Sequence, residues 1–257
     1  MQAFRRSSIP LAEVKTLRQL YEAGDLRAPA KSEYKPAFLD KVSLHLGDIT
    51  KLQVDAIVNA ANSGLQGGGG VDGSIHRAAG PGLKAELREK YVDTAKAGSV
   101  PCPTGEVRIS TGHELPSKYV IHAVGPSLAW NLRGPPAEDT KLATLLRDPT
   151  SASEGKIPAA LLASCYQNSL EVMVENKLKH IAFPCISTGI YGYPIVEATE
   201  IALHTIRTFL SADDHADKVE RVIFVLFDKG PDSERDIATY RKLLPHFFPQ
   251  ESDTSHA

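Results

Sequence analysis

The chain has 257 residues, 42% of them hydrophobic, and 29 basic against 31 acidic side chains leave a formal net charge of -2; that suits one large globular domain with decorations, or two small ones. A balance this close to neutral lacks the basic surface of a general nucleic-acid binder, and no apolar run approaches the ~20 residues of a membrane span. The three cysteines, Cys102, Cys165 and Cys185, are widely spaced with no C-x-x-C pair, which argues against a disulfide framework or a structural zinc site and favours a reducing, intracellular compartment, cytoplasmic or nuclear.

In chain order, MQAFRRSSIP has no hydrophobic signal core, and Arg5, Arg6, Ser7 and Ser8 are too few for a transit peptide. Leu11 to Tyr21 reads as a helix before a Pro/Ala/Lys-containing stretch, so residues 1–40 form an N-terminal extension packed on or tethered to the main domain. Strands are expected at Val42 to Leu46 and Val54 to Asn59, then a glycine run and a helix from about Val71, with Leu83, Leu87 and Tyr91 at four-residue spacing beyond it. Glu106 to Thr111 and Tyr119 to Val124 read as strands whose short connection, Gly112 to Lys118, leaves no room for a helical crossover, so they pair antiparallel. Residues 127–157, with Pro135, Pro136 and Pro149, read as a surface insertion that is a lid or only a loop.

Leu162, Tyr166, Leu170 and Met173 mark a long helix; His180 to Cys185 a strand; Ala198, Ala202, Thr205 and Phe209 a helix; Arg221 to Phe227 a strand; Ile237, Tyr240 and Leu244 a last helix. The tail, 249–257, is polar. Strands alternating with helices over 41–248 indicate an α/β fold, a sandwich around a mixed central sheet.

The segment richest in chemistry is Gly67, Gly68, Gly69 and Gly70, running into Val71, Asp72 and Gly73 after a strand that ends in Asn59-Ala60-Ala61-Asn62. Glycines can bend so that successive N–H groups converge, and a helix starting there adds its positive end; the expected guest is a phosphate or diphosphate held by neutral amides. Gly68-x-Gly70-x-x-Gly73 also satisfies the dinucleotide fingerprint. A Rossmann unit, however, needs the glycines directly after the strand and an acidic second strand end ~20 residues on, and neither is found. No Gly-Lys-Ser/Thr follows for a Walker loop. A merely flexible turn is the bland alternative.

Two further motifs bear on the choice: Gly47-Asp48-Ile49-Thr50 after the first core strand, and PCISTGIYGYP from Pro184 to Pro194 between a buried strand and a helix. Together GDITKLQVDAIVNAANSGLQGGGGVDGSIHRAAGP, YVIHAVGP and IAFPCISTGIYGYP resemble a macrodomain of the MacroD type over roughly residues 40–248. The resemblance implies a macrodomain-like three-layer α/β/α sandwich with an ADP-ribose cleft at the strand ends. It implies that Asp48, with the Ile49 backbone beside it, accepts from the adenine amine, and that Phe227 packs on the adenine. It also implies that Gly67 to Gly70 with Val71, and Ser187, Thr188, Gly189, Ile190 and Tyr191 opposite, surround the diphosphate.

By the same resemblance Asn59 and Asn62 belong to an NAAN motif. Asn62 would contact the distal ribose, and Asp72 would bind that sugar and orient or activate water. His76, one helical turn after Asp72, would bond to it or line the ribose pocket. Read without the family, each has a structural alternative: an N-cap at Asp48, a core phenylalanine at Phe227, a surface aromatic in a turn at Tyr191, a first-turn carboxylate at Asp72 and a capped helix histidine at His76; His122, which also resembles a family position, reads better as a satisfied core histidine. The glycine loop lacks the cysteine and histidine of zinc-dependent relatives, so neither metal nor cofactor is expected.

The resemblance thus implies hydrolysis of the ester joining ADP-ribose to acidic side chains of mono-ADP-ribosylated proteins (Glu- or Asp-linked) and deacetylation of O-acetyl-ADP-ribose, with free ADP-ribose as product. Its rival is a non-catalytic ADP-ribose reader, distinguished by the Asn62 and Asp72 pair. A nicotinamide-dependent oxidoreductase ranks far behind both.

Overall fold

Alternating side chains sort the sheet into two faces, and with them the core into two halves. The computed structural model describes residues 8–29, 31–96, 98–128, 156–212 and 214–250. Its elements are β1 (Ile9–Pro10), α1 (Leu17–Glu22), β2 (Val42–Leu46), β3 (Leu52–Gln53), β4 (Ala56–Ala60), α2 (Gly70–Ala79), α3 (Pro81–Leu87), β5 (Val107–Thr111), β6 (Tyr119–Ala123), α4 (Lys156–Glu175), β7 (His180–Phe183), α5 (Ile195–Ser211), α6 (His215–Lys218), β8 (Arg221–Leu226) and α7 (Ser233–Phe247). Six strands pair in the order β2-β8-β7-β4-β6-β5. All neighbours are parallel except β5 and β6, the pair whose short connection forces the antiparallel arrangement.

Val58, Ile121, Phe183, Val222 and Phe224 face one core half with α1, α4, α5 and α7, while Ile57, Val120, Ala182, Ile223 and Val225 face the other with α2 and α3. The period-two alternation of strands therefore builds three layers, helix on sheet on helix.

Several boundaries move. The expected strand at Val54 to Asn59 runs from Ala56 to Ala60, and the Asp55 carboxylate just before it accepts from the backbone N–H of Lys179 (2.8 Å) and the Lys118 ammonium (2.7 Å). The expected strand to Cys185 stops at Phe183, before a proline that has no N–H for a ladder. The expected helix from Leu11 to Tyr21 divides into a 3-10 turn, Leu11–Glu13, and α1. Between them Thr16 bridges to Ser43 and caps α1: Gln19 N–H donates to Thr16 Oγ1 (3.2 Å) and Thr16 N–H donates to Gln19 Oε1 (2.9 Å).

The N-terminal segment packs into the body. β1 pairs with β3, and Leu17, Leu20, Tyr21, Leu26 and Leu39 join the first core half. Most of the insertion expected at 127–157, and the tail from 251, lie outside the described residues.

Candidate active site

At the carboxyl ends of the parallel strands, β4 and β7 lie side by side but lead to opposite faces, β4 to α2 and β7 to α5. Two such neighbours leave a crevice between their loops, where α/β sheets take ligands. The crevice here is a cleft of ≈ 790 Å³, the size of a pocket for a nucleotide-scale molecule.

One wall is the glycine loop. Gly70 turns into α2 at φ +59, a backbone conformation that L side chains rarely adopt. Gly73 lets the helix press on the loop, since a Cβ there would lie 2.4 Å from the Gly68 carbonyl oxygen. Gly68, Gly69, Gly70, Val71 and Asp72 line the cleft, so the free N–H groups of the first helical turn open toward it.

The other wall runs from Pro184 to Tyr191. Thr188 Oγ1 donates to the Cys185 carbonyl (3.2 Å), and Tyr193 N–H and Gly192 N–H close the turn onto Ser187 and Gly189. Ser187 is buried at φ +67, and its hydroxyl has no partner among the described residues. A buried, strained donor on the wall of a cleft is suited to a ligand oxygen. Ile190, 70% exposed, reaches across so that a Cβ on Gly69 would stand 2.8 Å from its Cδ1. The two walls meet there.

At one end of the cleft stands Asp72, only 4% exposed, in the first turn of α2. Its Oδ1 accepts from Asn59 Nδ2 (2.7 Å) and lies 3.3 Å from His76 Nε2, without hydrogen-bond geometry to that ring. Its Oδ2 receives a longer contact from Asn62 Nδ2 (3.3 Å), an amide that also donates to the Gly67 carbonyl (3.0 Å). Oδ2 thus keeps acceptor capacity toward a water or a sugar hydroxyl.

At the other end Asp48 does cap a turn: Thr50 N–H and Oγ1 both donate to its Oδ1 (2.9 and 2.8 Å). It lines the cleft all the same, beside buried Ile49. Phe227 follows β8 on the rim, 58% exposed, and is not the core residue its composition alone suggests.

Asn59, Gly67 and His76 stand behind the lining rather than on it: Asn59 is fully buried, and the His76 ring packs under Gly67, 3.2 Å from where its Cβ would be. The remaining expected residues line the cleft themselves. Gly125, from the YVIHAVGP motif, lines it too, as do Asp232, Ser233 and Asp236, to which no motif pointed. The turn-forming Asp228-Lys229-Gly230-Pro231-Asp232 after the last strand was the available signal. Among the described residues no group of three or more His, Cys, Asp or Glu side chains is placed to hold a metal ion.

The family model described as Macro domain matches residues 58–157 and 146–202. The chain is 46% identical over 210 residues to "ADP-ribose glycohydrolase MACROD1" of Mus musculus, covering 82% of this chain and 53% of that protein. It is 42% identical to the "O-acetyl-ADP-ribose deacetylase" of Klebsiella pneumoniae (strain 342), covering 79% of this chain and 95% of that one. Among solved structures, a Trypanosoma brucei macrodomain in complex with ADP-ribose superposes with a TM-score of 0.66 at 32% identity, covering 93% of this chain and 78% of that one. The chain spans about half the length of the MACROD relatives.

Proposed function

The chain belongs to the macrodomain family, and from that membership and the chemistry of the cleft we propose that it hydrolyses the ester between ADP-ribose and acidic side chains of mono-ADP-ribosylated proteins, and deacetylates O-acetyl-ADP-ribose. The observation that carries this is the Asn62 amide and the Asp72 carboxylate, 3.3 Å apart at the end of a cleft lined by the first turn of α2 and the partnerless Ser187 hydroxyl. Asp48, Ile49 and Phe227 hold the adenine. Gly68, Gly69, Gly70 and Val71 on one side, and Ser187, Thr188, Gly189, Ile190 and Tyr191 on the other, hold the diphosphate through neutral donors, which suits a chain with no large positive field.

With the diphosphate fixed, the distal ribose falls beside Asn62 and Asp72. Asn62 bonds its hydroxyls; Asp72 orients the attacking water through Oδ2 and takes up part of its proton, sharing that work with a substrate phosphate oxygen. The acyl group leaves as a carboxylic acid and ADP-ribose is released. Because protein targets must reach the site, an intracellular location, cytoplasmic or nuclear, belongs to this reading; the unpaired state of Cys102, Cys165 and Cys185 supports it.

The test is to supply a glutamate-ADP-ribosylated protein and, separately, O-acetyl-ADP-ribose to the wild type and to the Asn62→Ala variant. Release of ADP-ribose from both substrates, reduced in the variant, is expected. Tight ADP-ribose binding with no turnover of either would make the protein a reader instead.

A further inference from the structure

His122 does more than fill the core. The parallel register of β4 and β6 sets Asn59 opposite His122, on the sheet face that α2 covers. The imidazole is fully buried, and desolvation holds its pKa down to about 3, so the ring is neutral. A neutral ring has one donor and one acceptor nitrogen.

The neighbours decide which is which. Asn59 Nδ2 sits 3.1 Å from His122 Nδ1 and 2.7 Å from Asp72 Oδ1. Because the carboxylate can only accept, the amide nitrogen must face it, and its second N–H then points at Nδ1. Nδ1 is therefore the acceptor, and Nε2 carries the proton, which it donates to Ser110 Oγ (2.9 Å). That hydroxyl passes its own hydrogen to the Thr111 carbonyl (3.3 Å). A single direction of donation leads from the Asn59 amide through His122 and Ser110 to the backbone of β5.

We propose that His122 is a positioning residue for the reaction: by accepting from Asn59 it fixes the amide so that its other N–H pins Asp72 Oδ1, leaving Oδ2 aimed at the ribose and its water. This role rests on the hydrolase reading. It requires no contact between His122 and substrate: Asn59 Oδ1 is buried with no hydrogen-bond partner among the described residues, so the two contacts of Nδ2, to Asp72 Oδ1 and His122 Nδ1, alone hold the amide.

Three variants and one spectrum test it. In His122→Leu the amide loses its second acceptor and can rotate; kcat falls roughly 10- to 100-fold, as displaced catalytic groups do, while KM and ADP-ribose affinity change less than about threefold. His122→Asn, whose Oδ1 stands near the place of Nδ1, recovers most of the loss. On an Asp72→Ala background His122→Leu lowers kcat no further, whereas a general weakening of the fold would add to the defect. Nitrogen-15 spectra of the wild type show Nδ1 bare and Nε2 protonated from pH 5 to 8; the opposite tautomer, or a charged ring, overturns the proposal without any variant.

If His122→Leu does not fold, Ser110→Ala takes its place, with a smaller drop in kcat and unchanged affinity. Wild-type kcat in a folded His122→Leu overturns this role alone, as does a loss shared equally by affinity. An inactive wild type overturns the hydrolase reading and this role together.

Discussion

Asp72 owes its direction to two asparagine amides, Asn59 within β4 and Asn62 just beyond its end, and each holds a second partner as well. Asn62 Nδ2 holds both Asp72 Oδ2 and the Gly67 carbonyl, so removing it frees the carboxylate and slackens the glycine loop at once. Asn62→Ala is accordingly expected to lower kcat about 10- to 100-fold and to weaken ADP-ribose binding as well, by a smaller factor, in steady-state kinetics and calorimetry. Glycines divide by what surrounds them. A Cβ at Gly73 meets the Gly68 oxygen at 2.4 Å, and backbone cannot step aside as a side chain can. Gly73→Ala should cost ~1–3 kcal/mol of stability and reduce ADP-ribose affinity about tenfold, as the loop is pushed into the cleft. Gly189 has nothing within 4 Å of an added Cβ and no positive φ, so Gly189→Ala should leave the melting temperature near wild type and act on ADP-ribose affinity alone, since it lines the cleft. An equal loss of stability from both substitutions would remove the distinction drawn between the two loops.

At the scale of elements, α3 is fastened to β5 through one carboxylate. Glu86 accepts from Lys90 Nζ (2.6 Å), Thr111 N–H and Oγ1 (3.2 and 2.6 Å) and His113 Nε2 (2.7 Å). Burial pushes its pKa up, but these donors outweigh it and hold the carboxyl at about 2 instead of 4.5. A group whose pKa is depressed by folding stabilises above its unfolded value and loses that contribution as the pH falls toward the folded one. The stability difference between wild type and Glu86→Gln should thus stay constant above pH 4.5 and shrink between 4.5 and about 2; urea midpoints across that range measure it, and a difference independent of pH would contradict it. The same elements show how much could be read in advance. Continuous apolar runs located the core strands and their helices, and the seven-residue link between β5 and β6 settled their direction. Strand ends were less legible, because a boundary turns on single main-chain groups, such as the N–H that Pro184 lacks. That the glycine loop and the Pro184–Tyr191 loop line a cleft was legible in their glycine and hydroxyl composition. The relay behind Asp72 was not, since Ser110 and His122 meet Asn59 only through strand register.

Over the whole molecule, the described residues of the N-terminal segment and the C-terminal helix close on one another around Arg207, which is 6% exposed. Its guanidinium donates to the carbonyls of Phe247 and Lys35 (2.6 Å each) and lies over the rings of Tyr34, Phe38 and Phe248. Tyr21 OH donates to the Phe248 carbonyl (2.9 Å) in the same region. Such cation–π and main-chain contacts follow no periodicity, so the place of the N-terminal segment could not be read from its sequence. Removing residues 1–40 would strip Leu17, Leu20, Tyr21, Leu26 and Leu39 from the core and should cost several kcal/mol at the scale of ~2–5 per large buried side chain, read as a lower unfolding midpoint; an unchanged midpoint would make that packing incidental. This frame holds the ends of the parallel strands together, and the segments after β2, β4, β6, β7 and β8 form a cleft with Asp48 at one end and Asp72 at the other. The central claim is that Asp72 serves turnover far more than binding. It is tested by measuring, on the same preparations, ADP-ribose affinity and single-turnover release of ADP-ribose from a glutamate-modified protein for wild type and Asp72→Ala. The variant should bind within about tenfold of wild type while release slows by roughly 10²- to 10⁴-fold; release at the wild-type rate from Asp72→Ala would contradict the account.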